Sequence, residues 1–249
     1  MAYINDVTVF GSDRWVQALR LANDAVGDRY AGNEHYGAGL EGLLAWNRQN
    51  TADSPGALRY DRWRARLAED HGAHGAGELA ASIDDWYAIV EGRAPRPLSL
   101  SLDQLHVLAE SFARAMEDIV EEHGSLDATY GDRHRVGRGG ESWPVGGSGH
   151  APGTSTLRAM GYDHEERDGH ARWGARGQSS TQVVVMSDPP RSWIYVPLGQ
   201  SDREDSPHFA DQAERLFSRR QMKPSWWRPE DLASHVESRA VLEWKRAAR

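Results

Sequence analysis

The chain has 249 residues, 39% of them hydrophobic, with a formal net charge of −8 and no cysteine. That length suits one large domain or two small ones, and the lack of a basic stripe argues against nucleic acid as a partner. Zero Cys removes disulfides, thiol nucleophiles and Cys-bound metals, and no apolar run approaches the roughly 20 residues of a membrane span.

The opening MAYINDVTVFGSD has neither a basic stretch nor a long apolar run, so no signal peptide is legible. A cytoplasmic location is expected, or a secreted one if the chain derives from a larger exported precursor. Residues 1–126 read as a mainly helical region. Trp15, Leu19, Leu21, Ala22 and Val26 suggest one amphipathic face, and Leu40, Leu43, Leu44 and Trp46 a second short run broken by NRQNTADSPG. Leu58, Tyr60, Trp63 and Leu67 recur at helical spacing. HGAHGAG (residues 71–77) predicts a loop of high backbone freedom, after which Leu79, Ile83, Trp86, Tyr87 and Val90 form another face. Pro95 and Pro97 hold a connector extended. Ser101 is placed to cap the clearest helix, residues 102–123, whose stripe is Leu105, Leu108, Ala109, Phe112, Met116, Ile119 and Val120, with Gly124 at its C-cap.

Residues 127–249 read as a strand-rich region with C-terminal helices. Strands are predicted around residues 133–138, 155–160, 181–186 and 193–197. The β-branched run 181–186 reads as a central strand, with Pro189-Pro190 turning the chain into the next one. Ser206 and Pro207 predict the start of a helix over SPHFADQAERLFSRRQ, and PEDLASHVESRAVLEWKR predicts a final helix. Helices first, then strands of mostly antiparallel order, make an α+β pattern. Ten tryptophans are many for this length; core packing is the expected role for most of them.

The polar residues do not spell out a metal centre. His71 and His74 sit among glycines, and His150, His164 and His170 lie in a polar glycine-rich stretch without an HExxH phrase. Asp202, Glu204 and Asp205 read as a solvated acidic turn rather than a calcium loop. Asp132, Arg133 and His134 form a polar knot in which an Asp–Arg pair would fix a sheet edge. Gln200, Ser201, Asp202 and His208 fall in one loop, with Asp211 and Gln212 expected to lock it to neighbouring backbone. No metal and no cofactor is expected.

Several phrases in register carry a resemblance. They are GLLAWNRQNTADSPGALRYDRW (42–63), YGDRHRV (130–136), WPVGG (143–147), QSSTQVVVMSD (178–188) and LGQSDREDSPHFADQ (198–212). Together they resemble the C-terminal part of the penicillin acylase family of N-terminal-nucleophile hydrolases, closest in texture to acylases of lipopeptides, acyl-homoserine lactones and β-lactams. The resemblance implies part of a four-layer αββα sandwich. It also implies an amidase whose nucleophile is a Ser exposed by self-cleavage after Gly, with a His base and an oxyanion Asn following. Those three groups precede the region the phrases cover, so no catalytic residue is assigned to this chain. Gly11-Ser12-Asp13-Arg14-Trp15 is similar to the cleavage phrase, but Asp stands where Asn is expected, and a helix cap at Ser12 or Asp13 is the better reading.

By the same resemblance Trp143 would touch an acyl chain, and Gln200, Ser201 and His208 would frame the substrate cleft. Two readings stay open. In one, the chain is a subunit of a split amidohydrolase or acyltransferase of antibiotic biosynthesis, with a second protein chain carrying the Ser nucleophile. In the other, it is a substrate-binding or assembly protein keeping the fold, or one with repurposed chemistry at Asp132, His134 or His208.

Overall fold

The structure, a computed structural model, describes residues 3–149, 153–167, 169–236 and 238–241. His150 and residues 242–249 of the predicted final helix lie outside the described residues. Helix α1 (Ser12–Val26) buries Trp15, Val16, Ala18, Leu19, Ala22 and Val26 on one side, a spacing that only a 3.6-residue period brings together. Leu21, expected on that face, points away at 39% exposure. The cap is Gly11 in the left-handed region. Ser12 Oγ instead donates to the Val9 carbonyl at 2.8 Å, and Asp13 pairs with Arg48, so neither side chain caps the helix.

Helix α2 (Tyr36–Leu44) leads into α3 (Pro55–Ile83), which starts with Pro55 at its first turn and Ser54 Oγ accepting from the Ala57 amide at 3.1 Å. The loop expected at 71–77 is only a kink. Gly72 takes φ 67° and the helix resumes. The face predicted from Leu79 to Val90 divides, because Asp84 is extended and Asp85 caps a new helix, α4 (Trp86–Glu91), through the Ala88 amide. Leu79 and Ile83 stay in the core while Tyr87 and Val90 are 74% and 84% exposed. Helix α5 (Leu102–His123) has Ser101 as the expected N-cap, with Gln104 completing a capping box, and Gly124 in the left-handed C-cap.

A short helix α6 (Tyr130–Arg133) precedes strands β1 (His134–Arg138), β2 (Glu141–Pro144), β3 (Met160–Arg167), β4 (Ala171–Gly177), β5 (Thr181–Val185), β6 (Arg191–Tyr195) and β7 (Lys223–Ser225); α7 (Pro229–Ala233) follows. One sheet has the order β2-β1-β4-β3, antiparallel except for β1 with β4; the other, β5-β6-β7, is wholly antiparallel. The fold is therefore α+β, helical first and mostly antiparallel afterwards, in keeping with an αββα-type sandwich. A continuous apolar cluster joins α1, α3 and α5 to Val136, Val145, Tyr162, Tyr195 and Phe217 of the strand region.

Three strand-region expectations change. Residues 155–159 form a loop, held by Phe10 N to Ser155 O, Arg158 N to Asp6 O and Thr156 Oγ1 to Ser148 O, so their backbone groups are spent outside a ladder. The 181–186 run is β5, an edge of its sheet in this chain, with Val184, Val185 and Met186 exposed. The helix predicted from Ser206 is a series of turns closing in a π-helical segment, Ala213–Phe217, because the Ala213 amide is also drawn to Leu198 O at 2.8 Å. The final helix is likewise only α7 among the described residues. Among the described residues no helix is long and apolar enough to cross a membrane.

Candidate functional site

The loop from Leu198 to Gln212 is clamped rather than free. Its limbs approach so closely that a Cβ on Gly199 would lie 2.1 Å from His208 O and 2.5 Å from Phe209 O, which only glycine avoids. Ser201 N donates to His208 O at 3.1 Å across the neck. Arg138, the last residue of β1, reaches under the loop. Its Nε donates to Phe209 O at 2.7 Å, a terminal N–H reaches both Phe209 O and Ser201 O, and its guanidinium lies 3.9 Å from the Phe209 ring centroid. One planar, permanently charged fork thus ties both limbs to the sheet, a task a lysine cannot do. At the far end, buried Gln212 accepts from Val196 N at 3.3 Å.

On this frame, Gln200 is exposed and its Oε1 accepts from Lys223 Nζ at 2.8 Å. Ser201 Oγ accepts from Arg203 N at 3.2 Å. The half-exposed His208 ring sits with Nδ1 3.2 Å from Asp211 Oδ2. Asp211 therefore orients an imidazole, whereas it was expected to hold backbone; Gln212 alone does that. Asp211 Oδ1 is buried without a hydrogen-bond partner among the described residues. Trp143 lies elsewhere, half-buried against the core on β2, opposite Val136. The structure gathers Gln200, Ser201 and His208 on one clamped loop and places Trp143 on the hairpin whose other strand supplies the clamp.

The polar knot at residues 132–134 is three separate devices. Asp132 caps α6 by accepting from Thr129 N and Oγ1 at 2.7 and 2.8 Å. Arg133 is buried and pairs with Glu122 of α5 at 2.8 Å, so the expected Asp–Arg pair does not form. His134, 1% exposed, stacks on Tyr130 with centroids 4.0 Å apart, contacts Tyr162, and holds Nε2 3.5 Å from Asp61. Burial pushes its pKa down to about 4 against the opposing pull of Asp61, so the ring is neutral at ordinary pH. Tyr130 and Tyr162 both donate to Gly147 O, at 3.0 and 2.9 Å, and burial raises both phenols. This knot is sealed scaffold behind WPVGG, the phrase that carries Trp143.

Between α3 and α5, Arg62 meets Glu69, Asp118 and Glu122 at 3.0, 3.0 and 3.3 Å, and Arg66 adds Asp118. This ladder and the Arg138 clamp went unread in the sequence. The clue to Arg138 was a cation ending an alternating strand just before Gly139-Gly140, both at positive φ. His74 only approaches Glu78 at the surface, and among the described residues no group of three or more His, Asp or Glu is set to hold a metal. Chemically, the loop offers an amide, a hydroxyl and a carboxylate-oriented imidazole on a rigid base, a set suited to holding a polar substrate. The family model for penicillin amidase matches residues 1–234.

Proposed function

The chain belongs to the penicillin amidase family, and from that premise we propose that it is the C-terminal subunit of a split amidohydrolase. A partner polypeptide supplies the terminal Ser, the His and the oxyanion Asn. Ser Oγ attacks the carbonyl carbon of an acyl amide, its proton passes to the leaving amine, and an acyl ester remains. Water then adds to the ester, releasing the carboxylic acid and restoring the hydroxyl; an amine or alcohol in place of water would give acyl transfer. The substrate is a peptide-like or natural-product amide, handled as in the lipopeptide and acyl-homoserine-lactone branch.

In this reading the helical region and the strand-rich region complete one domain together with the partner. Gln200, Ser201 and His208 frame the polar end of the cleft and Trp143 its acyl end. The observation that carries the reading is β5, an apolar edge strand with Val184 and Val185 exposed and Met186 exposed just after it. An edge of this kind is a template for another strand. Native mass spectrometry of the complex from source cells tests it. A co-purifying chain that begins with a free Ser is the expected result. A lone chain of intact mass would overturn it in favour of a binding or assembly protein.

A further inference from the structure

A groove of about 360 Å3 lies between the β5–β6 turn and the segment after β7. Its walls are aromatic and already fixed. Trp227 Nε1 donates to Ser192 Oγ at 2.9 Å, and that hydroxyl donates onward to Ser225 O at 3.3 Å. The Trp226 indole stacks on His235, with centroids 3.9 Å apart and an interplanar angle of 19°. Trp193 and Pro190 complete the lining. The two indoles nevertheless keep 37% and 52% of their surface exposed. Rigid aromatic faces that lose no further rotamer freedom on binding are favourable ligand walls.

The charges at the rim are unequal. Arg228 is matched by Asp231 at 3.0 Å and by Glu230 at 3.5 Å. Arg191, which also lines the groove, has no side-chain hydrogen bond or ion pair among the described residues. In a chain of net charge −8, this guanidinium, unmatched among the described residues, stands beside three indoles. Its planar fork fits a carboxylate. The volume lies near the low end of ligand sites, which suits one or two fused rings better than a long acyl chain or a folded peptide.

We propose that this groove binds a small aryl carboxylate, its ring against Trp193, Trp226 and Trp227 and its anion on Arg191. The assignment does not rest on the presence of an amidase partner. Ligand-observed NMR titration of the full chain tests it with 2-naphthoate, the neutral isostere 2-naphthamide and the ringless hexanoate. Saturable binding of 2-naphthoate is expected, with affinity lower by about tenfold for the amide and for Arg191→Met, the worth of one charge-assisted pairing. Hexanoate should bind more weakly still, for want of stacking. Arg191 is an exposed strand-end residue, so circular dichroism should show the variant fold unchanged, and Arg191→Lys should restore part of the affinity. Equal binding of acid and amide, an unaltered affinity in Arg191→Met, or no saturation would overturn the assignment.

Discussion

His134 shows how burial sets what a side chain can do. The ring is neutral in the fold and protonates near pH 6.5 when unfolded, so the unfolded chain binds the extra proton between those values. Stability is therefore whole above about pH 6.5 and lost as pH falls toward 4, by up to about 3 kcal/mol from this residue. His123, also shifted down by burial, adds in the same direction. Urea midpoints measured from pH 7.5 to 4 should fall, and His134→Phe, which keeps the stack with Tyr130, should flatten much of that slope; a parallel slope in the variant would refute the assignment. Arg138 is the second decisive residue. Arg138→Ala removes the pin from both limbs of the 198–212 loop and leaves Phe209 O unbonded to it, costing about 1–3 kcal/mol and opening the loop to limited proteolysis, while Arg138→Lys should restore little. Unchanged protection in the alanine variant would show that the neck bonds alone suffice. The site was legible in part. The composition of the loop was readable because its residues are contiguous, but the clamp was not, since Arg138 meets Phe209 across 71 positions and no local period records such a meeting.

At the scale of elements, the helices were the readable half. Periodic apolar stripes and caps are local, so α1, the first half of α3 and α5 follow from spacing together with Ser101 and Gly124, whereas the continuation of α3 past Gly72 does not. What was missed depends on partners elsewhere. Strand β2 is too short to show alternation and exists because β1 lies beside it. The helix after Ser206 is forestalled by backbone bonds to Leu198 and Arg138. β-Branched character at 181–185 says strand, but centre or edge is decided by what lies alongside. Two glycines separate local freedom from tertiary need. Gly72 has φ 67° and open space around a would-be Cβ. Gly72→Ala should therefore cost about 1–2 kcal/mol of backbone strain and leave the surrounding packing intact. Gly199→Ala meets two carbonyl oxygens that belong to backbone, so it should displace the loop, with larger loss of thermal stability and new amide shifts at residues 208–209. Comparable melting temperatures and local spectra for the two variants would contradict this distinction.

For the molecule as a whole, the exposed β5 edge is the feature from which association is predicted. The isolated chain should self-associate as its concentration rises, through β5 pairing with β5 of another copy, and Val184→Lys should suppress this by placing a charge on the edge. Light scattering after size exclusion measures it; a wild-type chain that stays monodisperse at the highest concentration would count against an adhesive edge. A different consequence comes from the amino-terminal segment. Tyr195 Oη donates to Asn5 Oδ1 at 2.8 Å, Gln178 Nε2 to Ile4 O at 3.0 Å, and Arg158 N to Asp6 O at 2.9 Å. Residues 4–6 thus find their partners among residues made much later. At about 5–20 residues per second, residues 4–6 wait on the order of ten seconds for Tyr195 to be made. During that interval the nascent helices can collapse, but the segment that seats them against the strands has nothing to bind. Chaperone occupancy of the growing chain should accordingly persist until the β6 sequence has cleared the exit tunnel.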